Sequence, residues 1–86
     1  MISEYVKQDI DNYVTSGTPV GDFLHSVLCN DLQESFGRAD ENNREALFDI
    51  VCYLHNNAPS ICWGHPDRVN NWLQIHRDKR AKEEII

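Results

Sequence analysis

A run of apolar residues spaced four apart restricts this chain more than any other feature: Val20, Leu24, Leu28, Leu32 and Phe36, with Phe23 and Val27 beside them. Spacing of three and four puts side chains on one face of an α-helix, and nowhere does the chain alternate apolar and polar residues as a half-buried strand must. The same period occurs upstream in Ile2, Val6, Ile10 and Tyr13/Val14, a segment that Ser3 can cap and Gly17 can end. Thr18 can then cap a second helix with Pro19 at its first position, where the missing N–H does no harm. The Val20 to Phe36 stripe is one helix or two. Asn30-Asp31 favours a bend, since both residues prefer caps to helix interiors.

Gly37 breaks the pattern before Asp40, the cap expected for a further helix. Its core face is Leu47, Ile50, Val51 and Leu54, widened by Phe48, Cys52 and Tyr53. A helix apolar on most sides belongs at the centre, packed here by Val20, Leu24, Leu28 and Leu32 on one flank and by Val69, Trp72 and Leu73 on another. Asn56-Asn57-Ala58-Pro59 ends it, residues 60–64 read as loop, and Pro66 suits the first turn of a last helix with Val69, Trp72, Leu73 and then Ile75 or His76 inward. Beyond Arg77 the core pattern stops until Ile85-Ile86. The fold expected is all-α, a compact single domain of four to five short helices around a central apolar helix. The domain spans residues 1–76, and residues 77–86 form a charged, frayed tail.

Size supports a domain that folds without staples, because 86 residues stand well above the ~40 below which metals or disulfides are usually needed. So small a core covers only ~60% of the surface of its unfolded chain, and pairing into a homodimer is one way to cover more. A secretory signal is not expected: Glu4, Lys7, Asp9 and Asp11 lie where its apolar region would have to be. No run approaches the ~18 apolar residues of a membrane span, so no membrane partner is expected. Three cysteines, Cys29, Cys52 and Cys62, cannot all pair within the chain, which points to a reducing, cytoplasmic setting.

Charge is uneven. Residues 1–50 carry ten acidic and three basic side chains, a net of −7, whereas residues 51–86 carry four acidic and five basic, a net of +1, giving the overall −6. Binding to nucleic-acid phosphates needs a basic face, and the one basic run is Arg77, Lys79, Arg80 and Lys82 in the tail, so nucleic acid is not an expected partner.

Cys52-x-x-His55 followed by Cys62-x-x-His65 offers four side chains of the kinds that ligate zinc. Only six residues separate the pairs, fewer than the ~12 of familiar zinc spacings, and Cys52 sits on an apolar helix face where a buried thiol is ordinary. No metal and no cofactor are assigned. Cys62 with His65 lacks the third group that orients a catalytic base, and no catalytic residue is assigned. Asp31, Glu34, Asp40, Glu41, Glu45 and Asp49 invite comparison with metal-dependent nucleotide hydrolases, but the paired Glu-x-x-Glu and Glu-x-x-Asp motifs are absent and solvated helix faces account for them. Glycine-rich phosphate loops are also absent.

The loop 56–64 differs from the rest. It gathers Asn56, Asn57, Pro59, Cys62 and Trp63 beside Gly64, and loops held by rigid helices are where binding residues collect. Trp63 either covers the small core or anchors a partner, and the two roles can coexist. Asn30, Asp31, Asp40 and Asn43 are explained as caps and interhelical hydrogen bonds. The recognition surface expected is therefore Trp63 with His55, Asn57, Cys62 and His65.

The ordered string Gly21-Asp22-Phe23-Leu24, Val27-Leu28-x-Asn30-Asp31-Leu32, Phe36-Gly37-Arg38-Ala39-Asp40, Asn43, Asn57-x-Pro59 and Trp63-Gly64 resembles a group of short, functionally unassigned proteins encoded by bacteriophages and prophages. The similarity covers roughly Tyr13 to Trp72. It implies a phage origin and brings no catalytic residue, cofactor or ligand with it. Small phage accessory proteins commonly bind host factors, so the resemblance implies a non-catalytic inhibitor of a host protein or a counter-defence factor working in the host cytoplasm. A sponge for a small signalling nucleotide is the alternative, disfavoured because a phosphate site wants converging Arg or Lys and the chain up to Trp72 has only Lys7, Arg38, Arg44 and Arg68. A metal-dependent nucleotide hydrolase comes last.

Overall fold

The computed structural model describes residues 2–85, for positions 84 and 85 in backbone only, and the last residue of the apolar Ile85-Ile86 pair lies outside them. Among the described residues five helices follow one another: α1 (Glu4–Ser16), α2 (Asp22–Leu28), α3 (Leu32–Arg38), α4 (Glu41–Asn57) and α5 (Pro66–Ile85), with a 3-10 turn at Ser60–Cys62. Strand is absent among the described residues. The all-α class is as the periodicity requires, and among the described residues no helix is long and apolar enough to cross a membrane.

Local chemistry accounts for most of the boundaries. Ser3 Oγ accepts from the Val6 N–H at 3.4 Å to start α1, and Gly17 ends it in the left-handed conformation at φ 65°. The Gly17 and Thr18 N–H groups return to the Tyr13 and Asn12 carbonyls. The stripe from Val20 to Phe36 is two helices. Asn30 takes φ 63°, a left-handed geometry that asparagine tolerates better than most residues, and the Asp31 N–H closes back on the Ser26 carbonyl at 3.0 Å. Asp31 then accepts from the Glu34 N–H at 3.1 Å and opens α3. Asp40 does the same for α4 through the Asn43 N–H at 2.8 Å. Ala58, placed before Pro59, is extended and ends α4.

One start was misplaced. Thr18 and Pro19 do not open the second helix; α2 begins at Asp22, with extended Gly21 as its cap. Residues 18–21 are used instead to carry the chain from α1 to α2, and Val20 reaches the core from that connection, half-buried.

The core is built from Val6, Ile10 and Tyr13 of α1, Leu24, Val27 and Leu28 of α2, Ala46, Ile50 and Leu54 of α4, then Cys62 and Val69. Three residues expected in this core lie outside it. Leu32 is 71% and Phe36 54% exposed, because the turn at Asn30 redirects α3 so that its inward face is Ser35 and Ala39. Ser35 Oγ donates to the Asp31 carbonyl at 2.6 Å. Val51 is 40% exposed as well. The expected central helix is not found: α4 buries a single stripe, Ala46, Ile50 and Leu54, leaving Leu47, Cys52 and Tyr53 half-buried and Phe48 78% exposed.

α5 completes the fold against α1. Val69 is buried, Trp72 and Leu73 pack at the edge of the core, and Ile75 faces outward. Trp72 Nε1 donates to the Tyr13 carbonyl at 2.9 Å, and the His76 side chain covers the Cα of Gly17 so closely that a Cβ there has no room. α5 runs through Arg77 and the charged residues that follow. It continues to Ile85, and Arg80 Nη1 donates to the Ser16 carbonyl at 2.9 Å. Charged residues continue a helix when it has neighbours to hold, and here the exposed carbonyls at the end of α1 supply one.

Candidate binding surface

The segment after α4 is fastened from both sides. Tyr13, fully buried, donates its hydroxyl to the Cys62 carbonyl at 2.6 Å, and the Gly64 N–H donates to the Leu28 carbonyl at 2.6 Å. Gly64 adopts φ 98°, a value open to glycine and to few other residues. Arg68, one turn into α5, reaches back to the Ser60 and Trp63 carbonyls at 3.2 and 3.3 Å. These four bonds hold Trp63 in place at the edge of the core, half-buried.

The five residues expected to form one recognition surface separate. Cys62 is fully buried, its Sγ donating to the Pro59 carbonyl at 3.1 Å, and burial raises its thiol pKa. It is a core residue, since an apolar pocket disfavours the thiolate that a nucleophile or a ligand needs. Asn57 donates to the Tyr53 carbonyl at 2.9 Å and so satisfies the end of α4. His65 Nδ1 accepts from the Asp67 N–H at 3.1 Å and caps the start of α5. His55 is exposed on the last turns of α4. Among the described residues no three or more His, Cys, Asp or Glu side chains gather as a metal site, so the Cys52, His55, Cys62 and His65 spacing does not translate into a ligand cluster.

Trp63 does border an open surface, with other neighbours. A cleft of about 360 Å³ is lined by Asn30, Val51, Ser60, Trp63, Gly64 and Arg68. A smaller one of about 50 Å³ is lined by Val27, Asn30, Asp31, Leu32, Ser35, Leu47 and Val51. The two share Asn30 and Val51, so they form one groove running from the start of α3, across α4, to the 3-10 turn and α5. Its apolar lining is Val27, Leu32, Leu47, Val51 and Trp63, beside the polar Asn30, Asp31, Ser35, Ser60 and Arg68. Phe36 extends the apolar side beyond Leu32 by one turn of α3, and the Arg44 guanidinium covers its ring at 4.6 Å from the centroid. Sequence reasoning missed Asn30, Leu32, Val51 and Arg68. For Leu32 and Val51 the missing signal was the direction of α3, and for Arg68 the fold-back of α5 onto residues 60–63.

The charged side chains that line the groove are Asp31 at one end and Arg68 at the other. Glu34, Asp40, Glu41, Glu45 and Asp49 lie elsewhere on α3, α4 and the cap of α4, with Arg38 and Arg44 on the same elements. Arg38 is already engaged with Glu34 at 2.8 Å and Asp22 at 3.3 Å.

No family model, no curated protein and no solved structure matches the chain.

Proposed function

We propose that this protein works by non-catalytic binding of another protein through the groove between α3, α4 and the 3-10 turn. The observation that carries this reading is the exposure of Leu32 and Val51 along one groove with Trp63 at its end. A small domain ordinarily buries such residues, and a contiguous apolar strip rimmed by polar groups is the composition of protein interfaces. Trp63 and Arg68 are of the residue types that dominate interface energetics.

The occupant is an amphipathic segment of a partner protein with lysine or arginine beside its apolar residues. The net charge of −6 favours such a basic partner, whereas a second copy would bring a further −6 against this one. The resemblance to phage-encoded proteins supports a host protein as the partner and inhibition or counter-defence as the consequence. Replacement of Leu32 or Val51 by Asp tests the surface without disturbing the core, because both side chains already meet solvent. Wild-type protein and an Ile75→Asp control should retain the same identified partner, and the two groove variants should lose it with their helical circular dichroism spectrum retained. Retention of that partner by both groove variants contradicts the proposal. So does a wild-type dimer in sedimentation that Leu32→Asp dissociates, since the groove would then be filled by a second copy.

A further inference from the structure

The continuation of α5 past Arg77 builds a second concave surface that shares no residue with the groove. A cleft of about 350 Å³ lies between the end of α1 and the last turns of α5, lined by Thr15, Ser16, His76, Lys79, Arg80 and Glu83. Every lining residue has a polar side chain. The bond from Arg80 Nη1 to the Ser16 carbonyl fixes the guanidinium and occupies one of its five N–H donors, leaving the others available. His76 is seated by Trp72, their rings edge to face with centroids 4.8 Å apart. Partial burial, and then the charges of Lys79 and Arg80, hold the His76 imidazole below its usual pKa. Lys79 and Arg80 bring two positive charges to the lining of this cleft, against Glu83 as the single carboxylate among its six residues.

We infer that this cleft binds the phosphate of a small soluble phosphate monoester, with Lys79 and Arg80 as charged donors and the Thr15 and Ser16 hydroxyls as neutral ones. Arginine and lysine make charge-assisted hydrogen bonds to phosphate oxygens, and hydroxyls complete such sites without adding charge. The volume exceeds what a bare phosphate fills and leaves space for a sugar-sized group. A soluble source fits better than a lipid headgroup, because the net charge of −6 opposes approach to an anionic bilayer. The sequence concealed this site. Lys79 and Arg80 read as a solvated tail until the helix carries them back to Ser16.

The test is calorimetric and NMR titration at low salt with two probes, inorganic phosphate and adenosine monophosphate. Wild-type protein should bind at least one of them saturably. Lys79→Gln/Arg80→Gln should weaken that binding by about tenfold or more, while Arg77→Gln/Lys82→Gln, which removes the same charge from the same helix, should leave it unchanged. Lys79→Gln alone keeps the Arg80 contact with Ser16 and should weaken binding with the helical spectrum intact. No saturable binding by the wild type up to about 20 mM of either probe overturns the inference. Equal weakening in both double variants does so too, because it shows attraction to net charge and not to a site.

Discussion

Gly17 joins the two helices whose packing the sequence connects least directly, so its substitution by alanine probes the fold at its most informative point. Two costs add. Gly17 sits at φ 65° and ψ 26°, where a Cβ costs about 1–2 kcal/mol. A Cβ there would also overlap His76 Cβ, Cγ and Cδ2, and since His76 Cβ is fixed to the α5 backbone, the helix itself must shift. Overpacking of that kind costs about 1–3 kcal/mol. The sum, about 2–5 kcal/mol, is a large share of the ~5–15 kcal/mol that stabilises a typical domain. A fall of about 10 °C or more in Tm is expected for a chain of this size. A double-mutant cycle separates the two causes. His76→Gly alone loses the Trp72 contact and about 1 kcal/mol of helix propensity. In Gly17→Ala/His76→Gly the overlap is gone, so the pair should be less destabilised than the sum of the singles by about 1–3 kcal/mol. Urea unfolding followed by far-ultraviolet circular dichroism measures all four species. Additivity within about 0.5 kcal/mol refutes the reasoning, because it means that α5 does not press on Gly17.

Ile50→Ala should cost about 2–5 kcal/mol and Val51→Ala less than about 1 kcal/mol, read from the same unfolding curves, because Ile50 is fully buried and its neighbour is 40% exposed. Tyr13→Phe leaves the Cys62 carbonyl without its partner and should destabilise by about 1–3 kcal/mol at neutral pH. Burial raises the Tyr13 pKa above its ordinary 10.0, with Cys62 and then Cys29 adding to the effect. Above that value the unfolded chain releases the proton while the folded one keeps it, so the contribution is full at neutral pH. It is then lost at about 1.4 kcal/mol per pH unit as pH rises towards the folded pKa. Tyr13→Phe should flatten that part of the alkaline stability profile, and an unchanged slope counts against a buried, protonated Tyr13. Trp63→Ala should lower stability, since the ring packs on the core, yet if folding survives it should weaken partner capture by more than Ile75→Asp does in the same pull-down.

Local signals in the sequence were sufficient for the helices themselves. Ser3, Gly17, Asp31, Asp40 and Pro59 act within three or four residues of their own positions, through bonds that need no tertiary partner, and for that reason the starts of α1, α3 and α4 and the ends of α1 and α4 were legible. Ile10, Leu24, Leu28, Ile50, Leu54 and Val69 were legible as core because each lies on the one apolar stripe of its helix. Which of two adjacent apolar positions turns inward depends instead on where the neighbouring helices lie. One left-handed residue, Asn30, sends Leu32 and Phe36 to the surface, and Val51 stays open beside them, so that what reads as a core stripe becomes the floor of a groove. The same holds for Lys79 and Arg80 with Thr15 and Ser16, which no helical spacing relates, Arg80 lying 64 positions from Ser16. Their meeting is set by how α5 packs on α1 and on the 3-10 turn, a long-range arrangement that periodicity within a single helix cannot encode.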